Sequence, residues 1–107
     1  MITANFFDDG KGFEIKGHSD VNRSGPEIIC ASISSAAYLV ANTITDIISA
    51  KAEIKVDDGY MFLRLNENNE EAERLIKGFR LHIDGLAKQY PKRVIGLKVK
   101  SKQNMEV

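Results

Sequence analysis

Apolar residues recur along this chain at two different periods, and the order in which those periods alternate limits the folds open to it. Ile2, Ala4 and Phe6 alternate with Thr3, Asn5 and Phe7, and Phe13 and Ile15 alternate with Glu14 and Lys16. A period of two belongs to a β-strand with one buried face. Between the two runs, Asp8-Asp9-Gly10-Lys11-Gly12 is turn chemistry, because Gly supplies positive φ and Asp can bond its own backbone. The period then becomes helical. Ile29, Ile33, Ala36, Ala37, Val40, Ile44 and Ile47 share one helix face, and the helix is expected to end near Ser49 or Ala50. Ala52, Ile54 and Val56 return to strand spacing, Asp57-Asp58-Gly59 reads as a hairpin turn, and Tyr60 to Leu65 is the next strand. From Glu70 a second helix carries Ala72, Leu75, Ile76, Phe79, Ile83 and Leu86 on one face, and Pro91 stops it. Ile95, Leu97 and Val99 alternate with Gly96, Lys98 and Lys100 in a last strand. The order β-β-α-β-β-α-β predicts an α+β fold, a mainly antiparallel sheet covered by two helices. A single domain spans 1–107, with 101–107 expected to fray.

The chain has 107 residues, enough for one core of modest size. Fifteen basic and fifteen acidic side chains cancel, so no global field draws it to nucleic acid or an anionic membrane. Its one cysteine forms no internal disulfide and suits a reducing compartment. The N-terminus has no basic segment followed by a long apolar run, and no apolar stretch reads as long enough to span a bilayer. The cytoplasm is the expected location. One Cys and two distant His have no recognised zinc spacing, so neither metal nor other cofactor is expected. His82 reads as a partly buried packing residue beside Phe79 and Leu86.

The chemistry concentrates between Gly17 and Ser34, GHSDVNRSGPEIICASIS. A glycine and a histidine end a strand, a polar loop follows, and Cys30 comes early in a helix. A thiol is mostly protonated at neutral pH, and a neighbouring imidazole can take its proton. Ser24-Gly25-Pro26-Glu27 fits a capping box, with Pro26 in the first turn. That assignment puts Cys30 one turn beyond the free N–H groups, where the helix field is weak, so activation would fall to His18. Glu27, Cys30 and Ser34 share a helix face. The loop from Ser19 to Gly25 has few apolar anchors, which favours assembly of a Cys-His pair on substrate binding over a standing ion pair. Each residue also has a structural explanation. A lone helical cysteine more often serves as a small buried hydrophobe, and the cap accounts for Ser24 and Glu27. His18 shares strand parity with Glu14 and Lys16, away from the core, so it reaches the helix only if the chain turns at Gly17.

Gly17-His18, the glycine-bearing loop and Glu27-Ile28-Ile29-Cys30-Ala31-Ser32-Ile33-Ser34 resemble the ribosomal-processing cysteine protease family, as does Gly59-Tyr60-Met61 at the start of the fourth strand. The family carries Gly-His-Ala, and Asp followed by two hydrophobic residues, Cys-Ala-Ala, a hydrophobic residue and Ser. Here Ser19 and Ser32 replace alanines, and Glu27 replaces the aspartate. The resemblance implies a cysteine endopeptidase with Cys30 as nucleophile and His18 as base. It implies a ribosomal protein substrate, from whose N-terminus a short extension is removed, and a homodimer. Gly17, Ser19, Gly25, Glu27 and Ser34 become candidates for binding substrate or orienting the pair. The alternative reading is a ribosome-associated binding module of the same fold that does not cut. Lys92, Arg93, Lys98, Lys100 and Lys102 make the C-terminal end basic, but there is no aromatic RNA-stacking motif, and direct nucleic-acid binding is not expected.

Overall fold

The computed structural model describes residues 1–17 and 24–100, without the side chains of residues 24–27. The elements run β1 (Ile2–Phe7), β2 (Gly12–Lys16), α1 (Ser24–Asn42), a π-helical turn (Thr43–Ile47), β3 (Ala52–Asp57), β4 (Tyr60–Leu65), α2 (Glu70–Gln89) and β5 (Val94–Val99). The strands form one sheet in the order β3-β4-β2-β1-β5. Every neighbouring pair is antiparallel except β1 with β5. The expected β-β-α-β-β-α-β order and mainly antiparallel sheet are both present. The core lies between the sheet and the two helices. Ile2, Ala4, Phe6, Phe13, Ile15, Met61, Leu63 and Leu65 bury against Ile29, Ile33, Ala37, Val40 and Ile44 of the first helical segment and Ala72, Ile76, Phe79 and Ile83 of α2. Phe6, Phe13 and Phe79 meet with ring centroids 4.8–5.9 Å apart in tilted and edge-on geometries, of the kind that aromatic quadrupoles favour over a face-to-face sandwich. Asn69 caps α2: its side-chain oxygen accepts from the Ala72 N–H at 2.9 Å.

Five expectations change. Ile47 faces out, 76% exposed, and Ile48 packs on the core instead. The π turn explains this: the Ile48 N–H bonds to the Thr43 carbonyl at 2.8 Å, and the extra residue in the turn moves the apolar phase on by one. In β5 the parity is reversed. Parallel pairing sets Val94 opposite Ile2 and Gly96 opposite Ala4, so Val94 is buried while Ile95 and Leu97 join the open face. His82 is exposed rather than partly buried, because α2 turns its neighbour Ile83 to the core. Ile28–Ile47 is long and apolar enough to cross a membrane, with mean hydropathy 1.5, contrary to the reading of the sequence. In this fold its apolar stripe covers the sheet. Finally, α1 begins at Ser24, so Ser24 and Gly25 belong to the helix and not to the loop. The capping bonds expected of Ser24 and Glu27, and the frayed tail at 101–107, fall outside the described residues.

Glycine 12 shows how tightly β2 meets β4. A Cβ there would lie 2.1 Å from the Leu63 carbonyl oxygen, a backbone atom that cannot swing away. Gly78, within α2, has open space around it. The same substitution should therefore act in opposite directions. Gly12→Ala is expected to lose about 1–3 kcal/mol or more through overpacking, and Gly78→Ala to gain up to about 1 kcal/mol from helix propensity. Urea unfolding of both variants checks the pair.

Candidate active site

A groove of about 340 Å³ opens at one end of the core layer. The start of β1, the end of β2 and the start of β4 meet there beneath α1. Ile2, Ile15, Ile33, Ala37 and Met61 make an apolar floor and wall, and Cys30, Ser34 and Tyr38 face it from α1. Asp57, Asp58, Gly59 and Tyr60 of the β3–β4 turn form the lip, with Gly17 beside them. The structure thus brings together three of the residues singled out in the sequence, Gly17, Cys30 and Ser34. Cys30 is a free, half-buried thiol, accessible enough to react and backed by the core cluster. With α1 starting at Ser24, the thiol lies well inside the helix, where little of the N-terminal field reaches it.

Gly17 follows the last residue of β2 and has a left-handed backbone. Its φ is +105°, a conformation that L side chains rarely adopt, and a Cβ there would lie 2.3 Å from the Met1 carbonyl oxygen. Its N–H donates to the Gly59 carbonyl at 2.9 Å. That backbone is open to glycine and costly for other residues; whether the chain then turns toward α1 falls outside the described residues. His18, the expected base, and Ser19 lie outside the described residues; Gly25 and Glu27 are backbone positions in the first turns of α1.

The lip is built from chemistry that sequence reading treated only as a turn. Gly59 has φ +68°, and the Asp58 N–H donates to the Asp57 carboxylate at 2.8 Å. Tyr60 points to the open face of the sheet, where its hydroxyl donates to Glu14 at 2.8 Å. Register places Tyr60 opposite Lys16 on one side and Asp57 on the other, so this bond ties the lip to the end of β2. Tyr38, Asp57, Asp58 and Tyr60 were missed as groove residues. The one signal in the chain was the Gly59-Tyr60-Met61 motif.

A family model described as cysteine protease Prp matches residues 1–95. The chain belongs to that family. It is accordingly a cysteine protease by family, and the groove thiol is consistent with that chemistry. The ribosomal processing cysteine protease Prp of Staphylococcus aureus is 28% identical over 98 residues, covering 87% of this chain and 91% of that one. A Streptococcus mutans protein, SMU.848, has a similar structure, with a TM-score of 0.83 and 26% identity over 94% of this chain and 96% of that one. The S. aureus protease in complex with a covalently linked product peptide gives a TM-score of 0.81 and 25% identity, over 92% of this chain and all of that one.

Burial, and then the hydrogen bond to Glu14 and its charge, push the Tyr60 phenol up from its ordinary value of 10.0 to about 12. The unfolded chain releases this proton near pH 10 and the folded one does not. The associated stability is complete below pH 10 and is lost as pH rises through about 12. A spectrophotometric titration should show a phenol ionising near pH 12 that is absent in Tyr60→Phe. The same variant should lose less stability than the parent between pH 10 and 12.

Proposed function

We propose that this chain is a cysteine endopeptidase that removes a short N-terminal extension from a large-subunit ribosomal protein, using Cys30 and His18. The observation that carries the reading is the half-buried Cys30 thiol on a peptide-sized groove whose opposite side is Gly17, the residue before His18. His18 takes the thiol proton, and the thiolate attacks the scissile carbonyl. The tetrahedral species collapses to a thioester as the leaving amine takes the proton back from the imidazolium. Water, deprotonated by His18, then hydrolyses the thioester and frees Cys30. Small neighbours at Ser34 and Ala37 leave room for a peptide backbone. Roles for Ser19, Gly25 and Glu27 in shaping its path rest on the motif resemblance. The relative solved with a covalently linked product peptide supports a groove thiol that bonds to peptide.

Cys30→Ala removes one sulfur atom from a half-buried position and should leave the fold intact. Cleavage of the extension-bearing ribosomal protein, read from product mass, should fall about 10³-fold or more, and likewise in His18→Ala. Equal cutting by Cys30→Ala and wild type would favour the non-catalytic binding module.

A homodimer is part of the same proposal. Ile28 and Leu39, each 67% exposed, and Ile47 leave the outer side of the first helical segment apolar, a surface that a second copy can bury. Light scattering at micromolar concentration should give twice the chain mass. Leu39→Glu should shift that value toward the monomer.

A further inference from the structure

The groove has a charge pattern that its thiol chemistry does not require. Among the described residues that line it, the charged side chains are Asp57 and Asp58, and both are acidic. Neither has a cationic partner among the described residues. The neighbouring strand lysines are committed elsewhere. Lys16 pairs with Glu14 at 3.8 Å, and Lys55 pairs with Glu53 at 3.4 Å. Asp57 uses one carboxylate oxygen on the Asp58 N–H, and both side chains remain exposed with acceptor capacity to spare. In a chain whose total charge is zero, these two adjacent carboxylates concentrate negative charge at the described rim of the groove. Turn chemistry accounts for a short polar side chain at each position, but it would be served equally by asparagine. It does not account for the charge.

We infer that Asp57 and Asp58 are specificity-determining residues, which make the groove favour a peptide with a lysine or arginine where it passes the β3–β4 turn. The inference rests on the protease reading, since it takes a peptide as the groove's occupant. The apolar floor receives the side chains near the thiol, and the lip receives the cation. Two exposed carboxylates beside one ammonium or guanidinium give a modest, salt-screened preference of about three- to tenfold. A charge at the rim of a binding site acts on encounter and selectivity more than on total affinity.

The test uses the full chain carrying Cys30→Ala, so that binding is read without cutting. Dye-labelled peptides spanning the extension junction of the ribosomal protein have every basic residue replaced by glutamine. A single lysine is then walked through the positions on either side of the cut. Fluorescence anisotropy should find a position at which lysine tightens binding three- to tenfold over the all-glutamine peptide. That preference should shrink in about 0.5 M salt and vanish when D57N and D58N are added, substitutions that keep the turn's hydrogen-bonding chemistry. Equal affinity at every lysine position, a preference that survives in the asparagine variant, or no binding of any peptide would overturn the inference. Failure of the protease reading is seen separately, as absence of cleavage of the same peptides by the unsubstituted chain.

Discussion

Two hairpins, β1–β2 and β3–β4, become one sheet only where β2 pairs with β4, and the remaining architecture is arranged around that ladder. An isolated hairpin is marginal in water. Here the joint is closed at both ends by backbone groups. The Leu65 N–H reaches the Lys11 carbonyl at 2.8 Å, and the Gly17 N–H reaches the Gly59 carbonyl at 2.9 Å. Between them the strands approach closely enough that only glycine fits at position 12. With the ladder in place, Phe13, Ile15, Met61 and Leu63 form one continuous apolar floor for both helices.

The two ends of the core layer are used differently. At one end, Phe6, Phe13 and Phe79 fill the space with interlocking rings. On the open face near that end, Phe7 is nearly buried although its strand parity points it away from the helices. Phe62 packs on it, and the Arg64 guanidinium lies 5.4 Å from its ring centre, held by Asp9 at 2.6 Å. This is a cation–π contact anchored by a bidentate ion pair. At the other end the residues facing one another are small: Gly17, Cys30, Ser34, Ala37 and Gly59. These small residues leave the groove open above the apolar floor.

The position of the thiol constrains its activation. Cys30 is too far inside α1 to draw much on the helix N-terminus. Under the proposed mechanism the base is His18, the residue after Gly17, whose φ of +105° is one that L side chains rarely adopt. The lip beside Gly17 is attached to the same strand by the Gly17–Gly59 and Tyr60–Glu14 hydrogen bonds.

Much of this was legible in the chain itself. Period-two runs marked β1 and β2 with the correct faces inward, β4 was marked as a strand, Gly-bearing turns marked both hairpins, and the helical stripe of α2 was right at Ala72, Ile76, Phe79 and Ile83. Gly17, Cys30 and Ser34 were candidates on the motif resemblance, and the fold brings all three to one groove. Other features depended on partners distant in sequence. The parity of β5 was set by its parallel hydrogen bonds to β1, since Val94, Ile95, Leu97 and Val99 offer apolar residues to both faces. The outward turn of Ile47 came from a π turn that adds one residue to an otherwise regular stripe. Asp57, Asp58 and Tyr60 are ordinary hairpin residues until the sheet order places their turn across from α1. Periodicity is a property of a short window of residues and survives without the fold. Phase, strand order and the lining of a groove arise from non-local hydrogen bonds and packing, which exist only once the chain has closed on itself.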